Sequence, residues 1–379
     1  MAKSNVSLRT ARKAKNDEFY TRYKDIESEM DAYYEYDHDA FRDKTILCPC
    51  DDPEWSNFTR YFAMNFQKLG LKKLISTSYA HSAGNRRLTL CEKDSPRYDA
   101  NKHATHGKVF TLARDMNGSD ATTDTGDTTT HTGSAASVKF SGYLEEDGDF
   151  RSDEVTALRD EADIIITNPP FSLFRDFLKW VTDGSQQFAV IGNMNAITYK
   201  EIFPLIRNGT VWLGTTKPHE FVIPNDDGLM DMDGNDVRKF GNICWYTDID
   251  HGQRHKPLQL MTMEQNLESN KRLRRRLERD YGRIEYPHYD NYDAIEVPFT
   301  ECIPSDYDGI MGVPLTFLDK HCPEQFAIEG SQRWDKSDAV RSAYRGSKET
   351  ADKDLKTTIH GKETYDRIFI RRRRGHRDA

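Results

Sequence analysis

Apolar residues along this chain recur with two spacings, and the alternation between them predicts the architecture. Tyr23, Ile26, Met30, Tyr33 and Tyr34 fall at helical spacing and predict a short N-terminal helix. An apolar run at 44–50 reads as the first strand, after which Asp52 is expected to cap a helix whose first residue is Pro53. That helix carries Trp55, Phe58, Phe62, Phe66 and Leu69 on one face and stops at Gly70. A second strand at 74–78 completes a βαβ unit, which closes into a parallel sheet.

Residues 117–137 are rich in Asp, Thr, Gly and Ser and nearly free of apolar side chains, the composition of a flexible insertion. Structure is expected to resume near 138–143, with a turn at Gly148-Asp149-Phe150. A buried strand follows at 164–166, then a helix with Phe174, Phe177, Leu178 and Val181 on one side. Further strands are expected at 188–192, 210–214 and 242–247, with a helix at 199–207. Strands alternating with amphipathic helices predict a doubly wound α/β domain to about residue 250. Beyond it, 263–281 reads as one helix with Leu273, Leu277 and Tyr281 inward and Arg272, Arg275, Arg276 and Arg279 outward.

The strand at 164–166 ends in Asn168-Pro169-Pro170-Phe171. Two prolines fix the backbone and remove two N–H donors, so the Asn168 side chain and the Pro169 carbonyl are free to act as acceptors. Ligands of open α/β sheets bind at this end of the strands. Two acceptors and an aromatic ring suit a planar exocyclic amine, whose lone pair is delocalised and whose two hydrogens need partners. The acceptors favour a pyramidal nitrogen aligned with a sulfonium methyl group, so the turn points to an amino-methyltransferase. A ring held inside a duplex has to flip out to reach such a pocket and stack on Phe171.

Composition narrows the partners. The 379 residues carry a net charge of −8, so any nucleic-acid contact has to come from local basic patches. Three such patches lie at 3–24, 271–283 and 367–377, and any one of them taken alone reads first as a solvated face or tail. Six scattered cysteines without CxxC pairs and without a secretory leader point to reduced thiols in a cytoplasmic protein, with no zinc site or other metal. No apolar run approaches the length of a membrane span.

Taken together, five segments resemble the EcoRI-type adenine-specific DNA methyltransferases. They are Asn16-Asp17-Glu18-Phe19-Tyr20-Thr21, Cys50-Asp51-Asp52-Pro53 with Ser56-Asn57-Phe58, Asn168 to Phe171, Gly241-Asn242 before Ile243, and Asp306 to Pro314. The resemblance runs from about residue 15 to about 374. It implies a Rossmann-like class I methyltransferase sheet with helices on both faces, transferring methyl from S-adenosyl-L-methionine to adenine N6 in double-stranded DNA. Asn168, Pro169, Pro170 and Phe171 match the catalytic motif. Phe19, Tyr20 and Thr21 resemble the aromatic motif over the cofactor's methionine end. Asp51 and Asp52 match the cofactor motif after the first strand, where a carboxylate binds the cofactor's amino group. Asp149 and Phe150 are candidates for its adenine, or a plain surface turn.

Two features depart from the usual pattern: no GxG turn follows the first strand, and Ser76-Thr77-Ser78 ends the second without an acidic residue for the ribose. The motif order implies a catalytic domain at 1–250 and a smaller target-recognition region at 251–379, with Arg272, Arg275, Arg276 and Arg279 on DNA phosphates. The alternatives are an amino-methyltransferase acting on RNA guanine or protein glutamine, and a DNA-binding relative without catalysis. Oligomeric state is not legible.

Overall fold

The computed structural model describes residues 19–50, 52–80, 98–114, 121–122, 142–222, 237–333, 335–346 and 356–373. The chain divides into two compact units, one formed by Met1–Met194 with Gly214–His251, the other by Asn195–Leu213 with Gly252–Ala379.

The first unit is built on a large mixed sheet. Its strands are β2 (Thr45–Cys48), β3 (Lys73–Thr77), β4 (Lys108–Arg114), β5 (Ala121–Thr122), β6 (Gly142–Tyr143), β7 (Ile164–Thr167), β8 (Gln187–Asn193) and β12 (Ile243–Thr247). They run in the order β5-β4-β3-β2-β7-β8-β12, with β6 beside β4. The centre is parallel: Leu47 of β2 pairs with Ile75 of β3 and Ile165 of β7, and Ile165 pairs with Phe188 of β8. Antiparallel β4 and β12 flank this centre. Every residue of β2 and of β7 is buried, which is why their sequences read as unbroken apolar runs instead of alternating. From β2 the chain steps to β3 on one side and later returns to β7 on the other, so connectivity reverses between β2 and β7.

Helices α1 (Tyr23–Tyr36), α2 (Asn57–Met64), α3 (Phe66–Leu69), α4 (Asp153–Glu161) and α5 (Phe174–Thr182) belong to the same unit. Ile26, Met30 and Tyr33 bury the apolar stripe of α1, and Phe174, Phe177, Leu178, Trp180 and Val181 that of α5. Each such side chain contributes about 1.5–3 kcal/mol. A small antiparallel sheet, β1 (Tyr20–Thr21), β10 (Glu220–Val222) and β11 (Val237–Lys239), completes the unit.

Several sequence expectations need correction. The helix after β2 begins at Asn57, not Pro53: residues 53–55 form a turn, and the Ser56 hydroxyl caps the helix by accepting from Phe58 N and Thr59 N. It breaks at Asn65 before ending at Gly70, whose φ of 66° suits glycine. The strand expected at 210–214 is only β9 (Trp212–Leu213). Strand β4 escaped the sequence reading altogether. Of the 117–137 insertion only Ala121–Thr122 is described, pairing with β4; the remainder lies outside the described residues.

The second unit carries α6 (Phe203–Arg207), β9, α7 (Met263–Ser269), α8 (Lys271–Tyr281) and α9 (Asp338–Ala343). Its sheet has four strands, β13 (Ala294–Glu296), β14 (Ile310–Val313), β18 (Ile368–Arg372) and β15 (Phe326–Ser331), beside a hairpin of β16 (Thr358–Ile359) and β17 (Lys362–Glu363). The helix expected across 263–281 is two helices. Asn270 separates them, its Oδ1 accepting from Leu273 N, so a new helix is capped where the apolar spacing alone reads through.

Beneath this sheet, Arg367 Nε donates to both oxygens of fully buried Glu296 at 3.0 Å, and Tyr289 Oη donates to the same carboxylate. Arg367→Met strands that carboxylate and is expected to destabilise the unit by about 3–5 kcal/mol. Replacing both partners, Glu296→Leu with Arg367→Met, recovers much of the loss. Urea unfolding of the two variants checks this.

Candidate active site at the carboxyl edge of the central strands

At the end of β7 the chain is tied down on both sides. Thr167 Oγ1 donates to the Pro49 carbonyl just past β2, and Asn168 Nδ2 donates to the Phe19 carbonyl at 2.6 Å. A carbonyl only accepts, so the amide nitrogen must face Phe19 and Oδ1 must face the other way. Asn168 is 7% exposed, yet its Oδ1 accepts from no described residue. Leaving one buried acceptor unmet costs about 1–3 kcal/mol.

Pro170 turns the chain (φ −52°, ψ 124°) into a short 3-10 turn, Phe171–Leu173, that leads into α5. The first residue of α5 is anchored over β8: a Cβ on Gly192 would lie 2.3 Å from the Phe174 ring. The turn is therefore pinned at its start by hydrogen bonds and at its end by packing.

Phe171 stacks on Phe19 with ring centroids 6.0 Å apart and planes at 26°. Phe19 meets Phe240 edge-on at 4.6 Å, and Phe221 contacts both Phe171 and Phe240. Asn57 Nδ2 donates to the Thr21 carbonyl at 2.8 Å, joining β1 to the start of α2. The structure thus brings Phe19, Tyr20 and Thr21 beside Asn168 and Phe171. Two further buried hydroxyls, Thr21 Oγ1 and Thr77 Oγ1 at the end of β3, have no described partner. Because β3, β2 and β7 are parallel and in register, Thr77 and Asn168 end their strands at one edge of the sheet.

At the same edge, the turn after β2 has no glycine, but Cys50 adopts φ 80°, a backbone that ordinarily calls for one. Asp51 lies outside the described residues. Asp52 Oδ1 accepts from Glu54 N, and Oδ2 lies 3.0 Å from the ammonium of Lys108, which also meets Glu54 Oε2 at 2.8 Å. Asp149 accepts from the Arg151 backbone and guanidinium, and that hydrogen bonding holds its carboxyl below the usual range. Phe150 is in the core, against Phe177 and Trp180.

In the second unit, α8 presents its basic residues to solvent. Arg272 lies over the Phe299 ring at 4.0 Å and pairs with Glu301 at 3.2 Å. Arg276 and Arg279 share Asp280, at 2.5 and 2.7 Å. Among the described residues Lys271, Arg274 and Arg275 have no ion-pair partner and are exposed. Arg374 and Arg377 lie outside the described residues.

A family model described as adenine-specific methyltransferase EcoRI matches residues 7–373. The chain belongs to that family. It is 36% identical over 380 residues to the type II methyltransferase M.EcoRI of Escherichia coli, with 98% of each chain covered. Two mycoplasma relatives are similar over 328 residues: M.MgeORF184P of Mycoplasma genitalium at 30% identity, covering 84% of each chain, and M.MpnI of Mycoplasma pneumoniae at 31%, covering 84% of this chain and 83% of that one. No solved structure matches.

Within this EcoRI-type methyltransferase, sequence reasoning missed Lys108, Phe221 and Phe240. Lys108 opens a strand whose inward positions are otherwise apolar, and a lysine on the buried side of such a strand is the one signal that marks it. The unmet acceptor of Asn168 also sets its energetics. Asn168→Ala removes the orphaned oxygen but leaves the Phe19 carbonyl without its donor, so the number of unmet acceptors is unchanged and stability should fall by the one lost hydrogen bond, about 0.5–1.5 kcal/mol. Urea unfolding with circular dichroism measures this.

Proposed function

We propose that this DNA methyltransferase transfers the methyl group of S-adenosyl-L-methionine to N6 of an adenine flipped out of double-stranded DNA at a specific sequence. The observation that carries the reading is the buried Asn168 Oδ1, fixed by the bond to Phe19 and accepting from no described residue. An exocyclic amine has two hydrogens to donate, and Asn168 Oδ1 and the Pro169 carbonyl are two acceptors. Accepting both draws the nitrogen lone pair out of the ring, and the preference strengthens as the nitrogen becomes pyramidal. S-adenosyl-L-methionine supplies a methyl group on a sulfonium sulfur. Pro169 and Pro170 hold the turn rigid, and Phe171 offers a ring for the flipped base, a stacking contact of about 1–3 kcal/mol.

Phe19, Tyr20 and Thr21 are assigned to the cofactor's methionine end. Asp51 and Asp52 are assigned to its amino group, and Asp149 with the turn that Phe150 anchors to its adenine. Reversed connectivity beside β2, where ligands of Rossmann-like sheets bind, supports this placement, as do the unpartnered hydroxyls of Thr21 and Thr77. Catalysis is assigned to residues 1–250 and target recognition to 251–379, with Arg272, Arg275, Arg276 and Arg279 on phosphates. No described helix is long and apolar enough to cross a membrane, which agrees with action on DNA in the cytoplasm.

Incubation with methyl-labelled cofactor and unmethylated DNA, followed by digestion to nucleosides, tests the reaction. Label is expected in N6-methyladenine; label in N4-methylcytosine, or none on DNA, overturns the proposal. For the phosphate contacts, Arg275→Ala is expected to weaken binding evenly across sequences and to flatten the slope of log affinity against log salt by about 0.9. Fluorescence anisotropy over a salt series reads that slope.

A further inference from the structure

At the candidate cofactor edge one buried ammonium joins two carboxylates of the turn after β2. Lys108 is 1% exposed, and its Nζ lies 3.0 Å from Asp52 Oδ2 and 2.8 Å from Glu54 Oε2, whose side chains are only 10% and 6% exposed. The backbone ties Lys108 to the end of β3 as well: Ser78 N donates to Lys108 O at 3.0 Å, and Lys108 N donates to Ser78 Oγ at 3.2 Å. The turn that Lys108 grips is further shaped by the Asp52 carbonyl, which accepts from Trp55 N and Ser56 N and so delivers Ser56 to cap α2. Cys50, two residues earlier, holds its left-handed φ without being glycine.

A buried ion pair is weak evidence for stability, because desolvation offsets most of its attraction, whereas breaking one is costly. What such a cluster does supply is geometry: two carboxylates that would otherwise repel are fixed on one cation. In sheets of this kind the turn after the first strand is commonly shaped by glycines; here it has none.

We propose that Lys108 is a positioning residue for methyl-donor binding, holding the acidic turn after β2 in the shape that a glycine-rich turn gives elsewhere. This rests on the function proposed above.

The test is calorimetric titration of S-adenosyl-L-methionine and S-adenosyl-L-homocysteine into the full-length protein, alongside KM values for cofactor and for DNA. Lys108→Met is expected to weaken S-adenosyl-L-methionine binding about tenfold or more, equivalent to roughly 1.4 kcal/mol. The cofactor KM should rise in step, while the KM for DNA stays within about twofold. Lys108→Arg, which keeps the charge, should recover most of the affinity. If circular dichroism shows Lys108→Met unfolded, Glu54→Gln is the measured variant, with an expected loss of about threefold in cofactor affinity and none in DNA affinity. Unchanged cofactor affinity in the folded variant overturns the inference, as does a parallel fall in cofactor and DNA affinity. Wild-type protein that fails to bind S-adenosyl-L-methionine overturns the underlying function instead.

Discussion

The 2.6 Å hydrogen bond from the Asn168 amide to the Phe19 carbonyl is the contact on which the candidate site depends. It joins residues 149 positions apart, and it does so through the only side-chain group of Asn168 able to donate. With the nitrogen committed to Phe19, the oxygen is left as a buried acceptor pointing away, and the Phe19 ring is drawn onto Phe171. One bond therefore orients an acceptor, an aromatic pair and the short β1 sheet together. The lost solvation of that acceptor is a standing cost of about 1–3 kcal/mol, which a donor from a bound ligand would relieve.

Everything around this bond acts to keep it in place. Thr167 is fastened to Pro49, Phe174 is seated over Gly192, and Asn57 holds the Thr21 carbonyl. The first two contacts lie at the ends of the parallel strands β7 and β8, and the third joins β1 to the start of α2. Membership of the EcoRI-type methyltransferase family accords with a site held in this way, since an amine is methylated by orientation and polarisation and needs no mobile acid or base. The second unit is organised differently. Its sheet carries the Glu296–Arg367 pair, while α8 turns to solvent guanidinium groups that have no ion-pair partner among the described residues, in a chain whose net charge is −8.

Much of this was legible in the sequence, for identifiable reasons. Strands β2 and β7 are buried on both faces and announce themselves as apolar runs; the Asn168 turn follows from two adjacent prolines, whatever the tertiary context. Strand β4 was hidden because Thr111 splits its apolar residues into two short pairs, Val109-Phe110 and Leu112-Ala113, and it begins with a lysine. Asp52 and Ser56 are both good caps, but Asp52 Oδ1 accepts from Glu54 N inside the turn, and the helix, starting at Asn57, is capped by Ser56. Asn270 breaks a helix whose apolar spacing continues across the break. The meeting of Phe19 with Asn168 is a property of the folded sheet, and no spacing rule expresses it.

The most direct measurement is single-turnover methyl transfer by Asn168→Ala with cofactor and DNA both saturating, against wild type. Loss of the one oriented acceptor should slow transfer by about 100-fold to 1,000-fold even with both ligands saturating. Transfer at a near-normal rate in that variant would contradict the assignment of Asn168 Oδ1 as the acceptor that holds the reacting amine.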